Sequence, residues 1–188
     1  MSLILILILF FTMDPFGNIS SYMHMVRGLN PKRQSYIVMR EMLMALFFML
    51  LFNFIGEYIL YGLGLSVVTV KISSGVILFL VAVKILFSSQ SSLRANLPQE
   101  EPFLIPLAVP LIAGPALLAT IMLYALTEPS QFTMLSSIFI AWCLSVAVLL
   151  AAPRLERILG VNGLTAFERL MGMILVLLSL QRILEGVK

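Results

Sequence analysis

Apolar runs long enough to cross a bilayer fill this chain, and two of them are cut in the middle. The first cut is Asp14-Pro15-Phe16-Gly17-Asn18, and the second is Ala113-Gly114-Pro115-Ala116. Each lies about 12 residues into its apolar segment, roughly 18 Å along a helix and near mid-membrane. Proline lacks an N–H and clashes with the preceding turn, so it cannot continue a helix undisturbed. Non-helical backbone at that depth is tolerated only where protein or a water-filled cavity covers it. Paired broken helices in the two halves of a membrane chain are the best sequence-level pointer to a transporter's binding site.

The rest of the sequence agrees with a life in lipid. Of 188 residues, 61% are hydrophobic and only 11% charged, too few charges for the surface of a soluble domain. An outer-membrane barrel would show shorter, alternating segments. The expected fold is therefore an all-α polytopic membrane protein, a single transmembrane domain over 1–188. About six spans are read, at 2–27, 35–61, 66–87, 103–127, 131–152 and 164–183. The first and fourth are the broken ones. Residues 3–11 follow no basic n-region and precede no A-x-A site, so they read as half of a transmembrane helix.

Charge sets the orientation. Arg27, Lys32, Arg33, Arg40, Lys84, Arg94, Arg154, Arg157 and Arg169 fall on one side, against Lys71, Arg182 and Lys188 on the other. The positive-inside rule places the first group in the cytoplasm and both termini outside, in a multi-pass protein of the cell (inner or plasma) membrane. The net charge of +3 resides in short loops and suggests no nucleic-acid partner.

Three spans per half require the second half to insert upside down. Repeat one is read over about 1–89 and repeat two over about 103–188, with a polar loop over about 90–102. Traces of duplication accompany this. Leu63-Gly64, Thr69 and Gly75 recur in order as Leu159-Gly160, Thr165 and Gly172, and Pro15 matches Pro115.

Asp14-Pro15 reads as an N-cap followed by the first residue of a half-helix running to about residue 27. Gly114-Pro115 starts a second half-helix that runs to about residue 127. Both begin near the midplane, and each offers free N–H groups and the positive end of a dipole. Two such ends form a site for a carboxylate. The candidate substrate-binding residues are Asp14, Pro15, Gly17, Asn18, Gly114, Pro115, Ala116 and Thr120. Gly17, Gly114 and Ala116 would let a small ligand approach the backbone. Asp14 would hold an ammonium group or carry a coupling ion, since ionisable groups at this depth are costly. The alternative is a pair of plain kinks, with Asp14 capping its own helix.

Other residues carry weaker signals. Ser73 and Ser74 either allow close helix packing or line the pathway. Arg40, Glu41, Glu168 and Arg169 begin two spans on the same side and would form either a gate of cross-helix ion pairs or interfacial charges. Asn53 is expected to make an interhelical hydrogen bond, Trp142 to pack in the interior, and Cys143 to pack as a small hydrophobe. Thr12 and Thr120 would re-satisfy backbone groups freed by the breaks. His24 has no companion at metal-ligand spacing, so neither a metal nor another cofactor is expected.

At the two breaks the chain resembles the MarC family of membrane proteins, which includes SnatA-like small neutral amino acid transporters. The resemblance rests on Asp14-Pro15-Phe16-Gly17-Asn18, the basic turn after span one, Ile72-Ser73-Ser74-Gly75, Glu101-Pro102-Phe103 and the run from Pro106 to Pro115. Many relatives carry Gly-Pro-Gly where this chain has Gly114-Pro115-Ala116. The resemblance implies a six-helix inner-membrane protein with external termini, and cation-coupled amino acid transport. The expected function is thus a secondary transporter of a small solute, a small neutral amino acid, coupled to H+ or Na+ by alternating access. A passive channel or exporter, or a structural or regulatory membrane protein, is the alternative. No Ser/His or Cys/His pairing and no H-E-x-x-H points to an enzyme, so no catalytic residues are assigned. The expected partners are the small-molecule substrate and the bilayer, and a homo-oligomer is compatible with the sequence.

Overall fold

The computed structural model describes residues 2–26, 29–87 and 112–187. Among these, every regular element is a helix: α1 (Ser2–Met13), α2 (Asn18–Met25), α3 (Pro31–Gly62), α4 (Val67–Phe87), α5 (Pro115–Thr127), α6 (Gln131–Gly160) and α7 (Asn162–Val187). Four of them, α3, α4, α6 and α7, are long and apolar enough to cross a membrane, while α1 and α5 are shorter apolar helices ending or starting at a break. The polar loop over 90–102, the first half of the fourth span and the motifs from Glu101 to Pro110 lie outside the described residues.

Helix ends follow local chemistry. Pro31 opens α3, with extended Asn30 before it (φ −60°, ψ 144°). Gly64 closes α3 at φ 64°, which lets the Leu65 N–H reach Leu60 O at 2.9 Å. Gly160 ends α6 at φ 64°, ψ 177°, a conformation only glycine takes without strain.

Some span boundaries differ from the sequence reading. Helix α3 begins at Pro31 rather than near residue 35. The segment 153–162, read as a polar loop, instead continues α6 through Pro153 as far as Gly160. Proline removes one hydrogen bond there, but Leu155 and Leu159 remain packed against the core and hold the extra turns in place.

The main core joins α1, α2, α3, α5, α6 and the start of α7 at Leu164. Leu9, Met13, Tyr22, Met42, Met49 and Ile121 are fully buried in it. Trp142 is buried as expected and donates its Nε1–H to Met42 O at 2.7 Å, tying α6 to α3. Cys143 is exposed on the outer side of α6 instead of packed inside. Asn53 is buried, yet neither its Oδ1 nor its Nδ2 has a hydrogen-bond partner, so the expected interhelical bond is not made.

Lipid tails are as apolar as leucine, so helices in a membrane associate largely through close packing at small residues. The antiparallel pair α4 and α7 shows this. A Cβ on Gly75 would stand 2.7 Å from Ile183 Cγ1 and 3.0 Å from Ser179 O. A Cβ on Gly172 would meet Leu86 Cγ at 3.0 Å and Ile85 Cγ2 at 3.2 Å. Gly75→Ala is therefore expected to destabilise the protein by about 1–3 kcal/mol. Gly172→Ala should cost less, because its neighbours are side chains that can turn aside. Thermal unfolding of the two variants in detergent checks this order, and equal melting temperatures would refute it.

Candidate functional site

The first break is sealed by its own side chains. Helix α1 stops at Met13, and Asp14 adopts φ 45°, a left-handed conformation that a short polar residue tolerates. Asp14 Oδ1 accepts the Gly17 N–H at 3.1 Å, and Asp14 O accepts the Asn18 N–H at 3.1 Å. In return, the Asn18 side chain donates Nδ2–H to Met13 O at 3.1 Å, satisfying a carbonyl at the end of α1. Residues 15–17 form a turn, and α2 begins at Asn18, three residues later than the Pro15 start read from sequence. The N–H groups of Gly17 and Asn18 are therefore already taken by Asp14, so this break offers a ligand fewer donors than expected.

Gly17 is needed for a steric reason. Its φ of −63° suits any residue, but a Cβ there would lie 2.1 Å from Asp14 Oδ2. The glycine makes room for the capping carboxylate, where the sequence suggested room for a ligand.

The second break is left open. Gly114 precedes α5 in extended conformation (φ −71°, ψ 164°) with no side chain capping the helix, and Pro115 occupies the first turn. The Leu118 N–H closes onto Gly114 O at 3.0 Å. The amides of Ala116 and Leu117 thus form the uncapped positive end of α5.

A cavity of ≈ 360 Å³ lies between the two breaks. Asp14, Gly17 and Asn18 line it from the first, and Gly114, Pro115 and Ala116 from the second. Leu78, Val81 and Leu175 give it apolar walls from α4 and α7, while Ser21 and the exposed Lys84 add polar groups. Asp14 itself is only 7% exposed. The start of α7 reaches this region through the stacking of Phe167 on Phe16, 6.0 Å between ring centres, which brings the Glu168 charge within range of Asp14.

The remaining sequence candidates, Thr12 apart, lie elsewhere. Pro15 is buried beneath the turn and is not among the lining residues. Thr120 does not line the cavity either. It is fully buried behind Ala116, donates to Ala116 O at 2.5 Å and accepts a hydrogen bond from Arg182 Nη1. Thr12 lines the cavity and donates to Ile8 O at 2.6 Å. Both threonines therefore bond the carbonyl one turn back within their own helix. Ser73 and Ser74 bond the backbone of α4 at Thr69 O and Lys71 O, away from the cavity. Arg40 pairs with its neighbour Glu41 at 2.7 Å, Glu41 and Glu168 are buried, and Arg169 is exposed.

No motif in the sequence marks Ser21, Lys84 or Arg182 as site residues. In the sequence Arg182 reads as a flanking charge, yet it is 5% exposed inside α7. Its signal was the hydrophobic run continuing to Val187, which places a cation within the span.

Spanning apolar helices, with two breaks sharing one cavity, define a polytopic α-helical integral membrane protein. The chain belongs to the MarC family of integral membrane proteins, whose model matches residues 2–188. It is 45% identical over 186 residues to a UPF0056 membrane protein of Buchnera aphidicola subsp. Baizongia pistaciae, covering 97% of this chain and 94% of the relative. It is 44% identical over 183 residues to the UPF0056 inner membrane protein YhgN of Escherichia coli K12, covering 96% and 93%. A UPF0056 membrane protein of Pyrococcus abyssi is 31% identical over 184 residues, covering 96% and 90%. No solved structure matches the chain.

Proposed function

We propose that this protein is a secondary transporter of the inner membrane that carries a small zwitterionic solute, a small neutral amino acid, by alternating access. One observation carries the reading: a buried carboxylate, Asp14, and the uncapped start of α5 face the same ≈ 360 Å³ cavity. That volume lies at the small end of ligand cavities, which run from about 300 to 1,000 Å³. The carboxylate suits an ammonium group and the helix start suits a carboxylate. Asp14, Gly17, Asn18, Gly114, Pro115 and Ala116 form the proposed site, with Asp14 also carrying the coupling H+ or Na+. The reading assigns no chemical catalysis and no cofactor.

The proposal includes an inverted repeat, both termini outside. Gly64 and Gly160 share φ 64°, and each stands just before the third span of its half. Gly75 packs on Ile183, and Gly172, its counterpart 97 residues on (75 to 172), packs on Leu86, the counterpart of Ile183 (183 to 86). This reciprocity supports a pseudo-twofold relation between the halves, and the inner-membrane relative supports the location.

Purified protein in liposomes should accumulate labelled alanine or glycine against its gradient when a proton or sodium gradient is imposed. Downhill equilibration alone would favour a channel. No uptake of any small amino acid under either gradient would remove the substrate assignment.

A further inference from the structure

We infer that Arg182 latches α5 to α7 and seals the cavity on the side of the membrane where α7 ends. The two faces can be named without reference to the cell, because α4 and α7 are antiparallel. One face carries the end of α4 at Phe87, and the other carries the end of α7 at Val187.

The cavity lies towards the first face. Its lining along α4 runs from Leu78 to Ile85 and includes the exposed Lys84. Its contribution from α7 is Leu175, at the level where Gly172 meets Leu86. Past Leu78, towards the second face, Gly75 is packed against Ile183 and Ser179, and Gly186 against Ile72 at 2.6 Å from where a Cβ would stand. Arg182 lies in this close contact, next to Ile183, and is buried.

Its guanidinium reaches across to α5. Arg182 Nη1 donates to Thr120 Oγ1, and the single Thr120 hydroxyl hydrogen goes on to Ala116 O at 2.5 Å. Ala116 is itself a wall of the cavity. The chain Arg182 to Thr120 to Ala116 therefore ties the cavity wall to the helix behind it. Arg182 Nη2 is buried with no hydrogen-bond partner, and among the described residues no carboxylate lies within ion-pair distance of the side chain. A buried guanidinium with so few partners is costly within a membrane span. Glu185, one turn on, hydrogen-bonds Gln181 and lies within range of the Arg182 charge. Parting α5 from α7 frees Arg182 and opens the cavity to the second face.

The latch gives alternating access to the site proposed above, but its test needs no solute. Cys143 is replaced by serine, Ala116→Cys is introduced, and vesicles of each orientation are treated with a membrane-impermeant methanethiosulfonate reagent. Ala116→Cys should react from the Phe87 face and be protected from the Val187 face. Arg182→Gln should raise its reaction rate from the Val187 face by roughly tenfold, the effect of losing a hydrogen bond to a charged group on a two-state equilibrium. Thr120→Val, close in shape and lacking the hydroxyl, should do the same, and it decides the matter if Arg182→Gln does not insert. Labelling from the Phe87 face reports that each variant is folded. Unchanged protection from the Val187 face in a folded variant, or equal labelling from both faces with Arg182 intact, overturns the latch. Absence of solute uptake with the labelling pattern intact would instead count against the transport reading alone.

Discussion

Gly17→Ala should unfold the first break. The new methyl would stand 2.1 Å from Asp14 Oδ2 and 2.7 Å from Cγ, closer than atoms can pack. The carboxylate cannot move far without releasing the Gly17 N–H that it accepts at 3.1 Å. Overpacking costs about 1–3 kcal/mol and loss of a cap about 0.5–2 kcal/mol, so a combined loss of about 2–4 kcal/mol is expected. Alanine is otherwise favourable at a helix start with φ −63°, which makes the sign of the effect informative. Melting in detergent, compared across Gly17→Ala, Asp14→Ala and the double variant, provides the check. With the carboxylate gone the methyl's three nearest neighbours are removed, so the double variant should be no less stable than Asp14→Ala. A Gly17→Ala protein as stable as the parent would show that Asp14 does not sit where the structure has it.

Asp14→Asn separates the two roles that the first break gives to one side chain. Asparagine caps helices about as well as aspartate, so the Gly17 N–H keeps a partner and the fold should be nearly unaffected. The charge facing the cavity is lost. A hydrogen bond to a charged group is worth about 1.5–3 kcal/mol, so affinity for an ammonium-bearing solute should fall roughly 10- to 100-fold. Accumulation driven by the cation gradient should disappear. Asp14→Ala, by contrast, should lose the cap and the transport together. Gradient-driven uptake that survives intact in Asp14→Asn would strip the residue of its ligand and coupling roles and leave it as a cap.

That double use explains why the site was only half legible in the sequence. Asp14-Pro15 and Gly114-Pro115 announced themselves because proline's missing N–H is a covalent fact that acts wherever the chain goes. The same letters could not say what fills the space beside them. Gly17 read as clearance for a ligand and is clearance for the Asp14 carboxylate. Asn18 read as a ligand group, and it also closes the end of α1 by bonding Met13 O. Thr120 read as a site residue because it lies near Pro115 in sequence, yet it faces α7 and meets Arg182. The helix through Pro153 is not legible in the sequence because the burial of Leu155 and Leu159 outweighs a single lost hydrogen bond, and that burial depends on distant helices.

The membrane class, the main spans and the position of both breaks follow from the sequence alone. They depend on the length of apolar runs and on the geometry of single residues. Which helix faces meet was decided only in three dimensions. A soluble helix shows its buried face as a stripe of apolar residues, but here both the lipid side and the packed side are apolar. With no such stripe to read, only the assembled bundle brings Asp14 and Gly114 to one cavity and encloses Arg182 between α7 and Thr120.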